Sequence, residues 1–226
     1  MRQIIGIGET VYDIIFQNGQ PRAAVPGGSS FNSCISLGRI GYAPVFISET
    51  GDDTIGRTIL SFMRENGVST SKVSVVTESK SPLSLAFLNE NNDAEYLFYK
   101  DHDGDRFEFD YPEINKDDIV FFGSYYSINP VIRPKFAAFL DYARHRGALL
   151  YYDVNFRSSH ADEKMKLMAN ILENFEYADI VRGSADDFEI LFGERDADKL
   201  FRNQVSFYCP RFICTSGAGS PDRRLR

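Results

Sequence analysis

The chemically most informative stretch of the chain is Pro26-Gly27-Gly28-Ser29-Ser30-Phe31-Asn32-Ser33-Cys34, continuing to Gly41. Two adjacent glycines let a backbone approach a ligand closely and adopt positive φ. A helix beginning at Ser29 adds free N–H groups and a partial positive charge at the same place. Asn32, one turn in, could aim a side-chain amide there as well. Together these groups suit hydroxyls or an anion. The alternative is an ordinary Gly-Gly turn with a serine N-cap, and taken alone the turn favours that alternative. Gly6-Ile7-Gly8 after a strand-like run invites a dinucleotide reading. However, Val11 stands where the third glycine of G-x-G-x-x-G belongs, and Glu9 would place negative charge beside a pyrophosphate. His102, His145 and His160 show no pairing with a nucleophile, so a Ser/His/Asp hydrolase is not indicated. Cys34, Cys209 and Cys214 form no C-x-x-C pair and no Cys/His cluster, which disfavours a disulfide framework or a structural zinc site.

The elements that must position these residues alternate. Ile4 to Ile7 reads as a buried strand, Ser29 to Arg39 as a helix and Val45 to Ser48 as a strand. Ile55, Ile59, Phe62 and Met63 fall at helical spacing before Gly67. Further on, Ile119–Phe122, Ala148–Val154, Ala178–Val181 and Arg211–Thr215 read as strands, separated by helical patterns around 136–143, 163–175 and 185–192. This order predicts a mostly parallel α/β sheet flanked by helices. From about 72 to 109 the pattern changes to three strand-like runs. Ser84–Leu88 and Glu95–Tyr99 flank the polar Asn89-Glu90-Asn91-Asn92-Asp93 and read as a β-hairpin. Such a hairpin can cover a ligand, make a homodimer contact, or simply extend a sheet.

With 226 residues the chain suits one large domain or one domain with a small appendage. Hydrophobic residues make up 43% and charged residues 25%, ordinary values for a globular chain. A formal charge of −7 makes binding to a nucleic-acid backbone a poor expectation. No signal peptide precedes the first strand and no apolar run is long enough to span a membrane, so a cytoplasmic location is expected.

Taken in order, Gly6-Ile7-Gly8-Glu9 with Asp13, the Pro26–Gly41 stretch, and Gly51-Asp52-Asp53-Thr54-Ile55-Gly56 resemble the N-terminal half of the ribokinase-like (PfkB) sugar kinases. Those chains carry a G-E-x-x-x-D turn, a P-G-G-x-x-x-N-x-A helix, a G-x-D-x-x-G turn and a β lid. Cys34 replaces the alanine of the second motif. Asp153-Val154-Asn155-Phe156-Arg157 is similar to the D-x-N-x-R stretch of fructokinase and ketodeoxygluconate-kinase relatives. Ser184-Ala185-Asp186-Asp187 stands where the family has N-x-x-E, and Thr215-Ser216-Gly217-Ala218 resembles its T-x-G-A turn. The similarity covers nearly all of the chain to about residue 218.

The resemblance implies ATP-dependent phosphorylation of a fructose-like sugar or keto-sugar acid, with ATP and Mg²⁺. Asp13 and Asn32 would bind sugar hydroxyls, and Gly27 and Gly28 would form the lid hinge. Tyr99 or Lys100 would cover the sugar. Asn155 and Arg157 would reach the sugar or the transferred phosphoryl. Ser184, Thr215 and Gly217 would line the nucleotide site, and Asp187 would organise Mg²⁺ through water. The domain expected is 1–218, with an inserted β lid at about 72–109. The family's catalytic base lies in a G-A-G-D segment. Gly217-Ala218-Gly219-Ser220 is not that segment, because it directly follows a strand, where the T-x-G-A turn belongs. Residues 219–226 are polar and basic and read as an aberrant or disordered tail on a truncated chain. No catalytic residue is therefore assigned, and a non-catalytic sugar-binding remnant is the alternative.

Overall fold

The computed structural model describes residues 2–89, 94–100 and 107–216, and the backbone of 222–225. The chain divides into two compact units, Gly6–Asp110 and Met1–Ile5 with Tyr111–Arg226. Strand β1 (Ile4–Ile7) runs through both.

In the Gly6–Asp110 unit, β1 is followed by β2 (Val11–Gln17), β3 (Gln20–Gly27), α1 (Ser29–Arg39), β4 (Val45–Gly51), α2 (Thr54–Glu65), β5 (Ser69–Val76), β6 (Leu83–Leu88) and β7 (Ala94–Tyr99). Strands β1, β4 and β5 lie side by side in that order, and β4 pairs with β5 in parallel. Phe46 and Ile47 of β4 are buried, as are Phe31 and Cys34 on the inner face of α1. The 3.6-residue repeat of α1 and the apolar run of β4 therefore meet in one core.

A second sheet has the order β3-β2-β6-β7. Strands β2 and β3 form a hairpin whose two turn residues, Asn18 and Gly19, both have positive φ (51° and 72°). Asn-Gly is the residue pair that tolerates this turn, whose twist matches that of the strands. This small sheet corrects the expected lid. Two of its strands come from residues 11–27, outside the range of about 72–109 read from the sequence. β5, which overlaps the start of that range, pairs with β4 instead. The alternating pattern of a strand shows that it belongs to some sheet but does not reveal which one.

In the other unit the order is β12-β11-β10-β9-β8-β1. The elements are β8 (Ile119–Gly123), α3 (Ser124–Ile128), α4 (Arg133–His145), β9 (Leu149–Asp153), α5 (Lys164–Tyr177), β10 (Ile180–Ser184), α6 (Ala185–Phe192), α7 (Ala197–Leu200), β11 (Arg211–Thr215) and β12 (Asp222–Leu225). Strands β8 to β11 are parallel, and β12 is antiparallel to β11. Phe122, Tyr152, Phe175, Phe188 and Phe212 are fully buried where the helices cover the strands. Within the tail expected to be aberrant or disordered, 219–226, residues Asp222–Leu225 form strand β12. Its pairing runs through backbone groups, which polar side chains do not prevent. Among the described residues, no helix is long and apolar enough to cross a membrane.

Candidate functional site

Asp13 sits within β2, not in a turn after a strand as the sequence reading places it. It is flanked by Val25 on β3 and by Ser84 on β6. The hydroxyl of Ser84, a fully buried residue, donates a hydrogen bond to Oδ1 of Asp13. Burial pushes the Asp13 carboxyl above its ordinary range, and the Ser84 hydrogen bond pulls it part of the way back. A Cβ added at Gly27 would run into Asp13 Oδ2. The carboxylate thus lies directly against the bare backbone of Gly27, which any other residue would obstruct.

Gly28, the next residue, is the N-cap of α1, with φ 126° and ψ 146°. Side chains other than hydrogen rarely adopt that backbone, and here a Cβ would also meet the carbonyl oxygen of Glu9. Asn32 donates its backbone N–H to Gly28 O at 2.9 Å, closing the first turn of α1. Its side chain is exposed and has no hydrogen-bond partner among the described residues. Asp13, Gly27, Gly28 and the first turn of α1 are therefore joined through direct contacts and one helical turn.

Tyr99 does not join this group. In the register of the small sheet it lines up with Leu83 and Tyr12, whereas Asp13 lines up with Ser84 and Phe98. Successive residues of a strand face opposite sides, so Tyr99 falls on the face opposite Asp13. Its side chain is 58% exposed. Lys100, the alternative at that strand end, pairs through Nζ with Glu9 Oε2 at 3.6 Å.

In the other unit, the carboxyl ends of three neighbouring parallel strands carry a row of polar groups. Arg182 on β10 donates from Nη1 to Asp153 Oδ1 at 2.8 Å and from Nη2 to Thr215 Oγ1 at 3.0 Å. Burial lifts the Asp153 carboxyl above its usual range, and the Arg182 guanidinium opposes that rise. Arg182 in turn is held more firmly charged by Asp153 than burial alone would allow. The sequence reading quoted Asp153 only as part of a motif and did not single out Arg182. The available signal was a charged residue at the end of an otherwise apolar strand run, in Val181-Arg182-Gly183.

Ser184 N-caps α6 in a reciprocal capping box. Its Oγ accepts from Asp187 N at 3.1 Å, while Asp187 Oδ2 accepts from Ser184 N at 2.7 Å and from Ser184 Oγ at 2.8 Å. Asn155 follows β9 with φ 37°, a left-handed conformation that asparagine tolerates better than most residues. Arg157 is exposed at the start of a 3-10 turn, Ser158–Glu163. Gly217 lies outside the described residues. Open α/β sheets bind ligands outside the carboxyl ends of their strands, where Asp153, Asn155, Ser184 and Thr215 all stand. Among the described residues, no three His, Cys, Asp or Glu side chains are grouped to hold a metal ion.

Known structures share this fold. Fructokinase from Xylella fastidiosa superposes with a TM-score of 0.82 at 21% identity, covering 100% of this chain and 76% of that one. Fructokinase from Vibrio cholerae O395, in a form bound to fructose, ADP and calcium ion, gives a TM-score of 0.86 at 20% identity, with 100% and 76% coverage. Among curated proteins, Fructokinase-1 of Oryza sativa subsp. japonica is 27% identical over 194 residues, which is 84% of this chain and 60% of that protein. Fructokinase-1 of Zea mays is 28% identical over 172 residues, 74% of this chain and 53% of that protein. The chain thus spans between half and three-fifths of the length of these two relatives. The model of the pfkB family carbohydrate kinases matches residues 1–218. By that match over nearly its whole length, the chain belongs to the pfkB family of carbohydrate kinases.

Proposed function

We propose that this chain recognises a small sugar, fructose-like or a keto-sugar acid, and that its reaction is ATP-dependent phosphorylation of one sugar hydroxyl. The observation that carries the reading is the Asp13 corner. A half-buried carboxylate, one oxygen held by Ser84 and the other against Gly27, stands beside the N-terminus of α1. A carboxylate only accepts, which suits the vicinal hydroxyls of a sugar. Gly27 and Gly28 let the ligand and the strand backbone come close, and the open amide of Asn32 supplies a further donor and acceptor. Asn155 and Arg157 are assigned to the sugar or the transferred phosphoryl, with guanidinium suited to a bidentate phosphate contact. Ser184, Thr215 and Gly217 are assigned to the nucleotide.

For Mg²⁺, the carboxylate assigned is Asp187. One of its oxygens is taken by the capping box. That donor set fits an ion that keeps most of its own water and meets the protein through it, which is the usual habit of Mg²⁺ beside phosphates. Bound there, the ion would neutralise phosphate charge. Asp187 would hold its water shell, and the Ser184 cap would fix the Asp187 rotamer.

The transfer step calls for a base and for N–H donors around the migrating phosphoryl. None of these 226 residues forms the G-A-G-D segment that would supply them. A second reading is a sugar-binding module without turnover, in which Asp13 and Asn32 hold the sugar. A thermal-shift titration with D-fructose, followed by an ATP-dependent phosphorylation assay over a sugar panel, separates the two. Both readings expect a sugar-dependent rise in Tm that Asp13→Ala abolishes. Phosphorylation by this chain supports the kinase reading. Binding without phosphorylation, with turnover restored in a chimera carrying a G-A-G-D segment, supports the module. No shift with any sugar sinks both.

A further inference from the structure

The register of the small sheet points to a second residue in sugar recognition: we propose that Ser84 is a positioning residue, holding Oδ1 of Asp13 so that Oδ2 is the oxygen presented to a sugar hydroxyl. This rests on the reading of Asp13 as a sugar ligand. Three observations carry it. First, Ser84 is directly beside Asp13 in the parallel β2–β6 pairing, so the two side chains leave the same face of the sheet. Second, Ser84 is fully buried, and its hydroxyl donates to Asp13 Oδ1. A serine at a sealed position in an otherwise apolar strand, Leu83-Ser84-Leu85-Ala86-Phe87-Leu88, gains nothing from packing that alanine would not supply. Third, Gly27 has no side chain beside Oδ2, where a Cβ would collide with that oxygen, so Oδ2 keeps its place with room beside it. Ser84 and Gly27 together leave the Asp13 carboxylate one orientation, and orientation is what a diol-binding acceptor needs.

Among the described residues, no competing donor accounts for the arrangement. Strand β6 carries no titratable side chain. On β3, Arg22 donates to Gln17 Oε1 at 3.1 Å, near the hairpin turn. Glu9 and Lys100, the charged residues just before β2 and just after β7, are paired with each other. On β7 itself, Glu95 lines up with Phe87, far along the strands from the Ser84–Phe98 pair. Among the described residues, the Ser84 hydroxyl is the group that lowers the Asp13 carboxyl against its burial. Ser84 thereby keeps Asp13 ionised, and so able to accept, further down in pH than burial alone would permit.

The test measures D-fructose affinity by thermal shift or calorimetry across a pH series for the wild type, Asp13→Ala, Ser84→Ala and Ser84→Thr. A lost hydrogen bond to a charged group predicts binding weakened roughly tenfold or more in Ser84→Ala. The pH below which binding is lost should also move upward in that variant, and Ser84→Thr, which keeps a hydroxyl, should restore the wild-type pH profile. A residue that merely packs would not move the pH profile. Wild-type affinity and pH profile in Ser84→Ala, with binding still abolished in Asp13→Ala, would overturn the role of Ser84 while leaving the sugar reading intact. No fructose binding by the wild type, nor by any sugar of the panel, would overturn both. Should Ser84→Ala fail to fold, Ser84→Cys, of similar size but a weak donor, decides between the same outcomes.

Discussion

Two aspartates of the Gly6–Asp110 unit, Asp13 and Asp53, are built into opposite circumstances. Asp53 is committed to structure. Its Oδ1 accepts from Gly56 N at 2.8 Å as the N-cap of α2, and from Ser81 Oγ at 2.7 Å. Its Oδ2 accepts from Ser81 N at 2.9 Å. Burial pushes its carboxyl up, but these hydrogen bonds together outweigh burial and leave it below the ordinary range. Among the described residues, Asp13 has one neutral donor, and its carboxyl is raised. A carboxylate surrounded by donors supports the fold, whereas one buried with a single donor keeps accepting capacity for something not yet bound. Of the two, Asp13 is the one left with accepting capacity that the described residues do not use. The G-x-D-x-x-G turn is accounted for by the corner it builds, where Ser81 ties the segment entering β6 to the start of α2.

The sharpest test of this contrast is stability. Asp53→Ala removes a cap and two tertiary hydrogen bonds to a charged group, and should cost about 2–3 kcal/mol in urea unfolding. Asp13→Ala trades one hydrogen bond for relief of a buried carboxylate and should change stability by less than about 1 kcal/mol. The reverse order would break the distinction between the two.

Next comes Arg182, which compares a carboxylate paired with a cation to the one paired with a hydroxyl. Arg182→Ala leaves Asp153 buried without its partner. Because both side chains are about a third exposed, the expected cost is about 1–3 kcal/mol, below that of a sealed pair. A double-mutant cycle with Asp153→Asn measures the coupling.

A pH series sharpens the comparison further. The stability that Asp53 contributes is present above its unfolded range and is lost as pH falls through its lowered folded value. Asp13 runs the other way, since its raised carboxyl favours the folded state at low pH and loses that contribution as pH rises through the folded value. Asp53→Ala should therefore blunt acid destabilisation, and Asp13→Ala should steepen it. Parallel acid limbs for the two variants would contradict this.

The smallest expected effect is at the α6 cap. Ser184→Ala should cost about 1 kcal/mol without altering sugar affinity, measured by urea unfolding and fructose titration. A large loss of fructose affinity there would mean that Ser184 is not confined to its cap and the nucleotide side.

Much of the architecture was legible because its signals are local. Gly27-Gly28 before Ser29, Gly67 just past α2 with φ 75°, and the apolar runs of β8 to β11 each announce themselves over a few residues. What escaped was the partnership of strands. Val11–Gln17 and Leu83–Leu88 are some seventy residues apart yet lie side by side, and neither run carries a mark of the other. The face on which Tyr99 lies is hidden in the sequence for the same reason, because a one-residue difference in register reverses the face a side chain occupies.

By itself, then, the order of residues determined the parallel α/β class, the helix starting at the paired glycines and the pfkB membership of residues 1–218. Each of these depends on neighbours in the chain or on motif order. Only the tertiary structure decided that Ser84 holds Asp13, that Arg182 spans Asp153 and Thr215, and that Asp53 is consumed by a capped corner. Those outcomes depend on which strands pair and in what register. Backbone hydrogen bonding is nearly blind to side-chain identity, so pairing is settled by the packing of the whole chain.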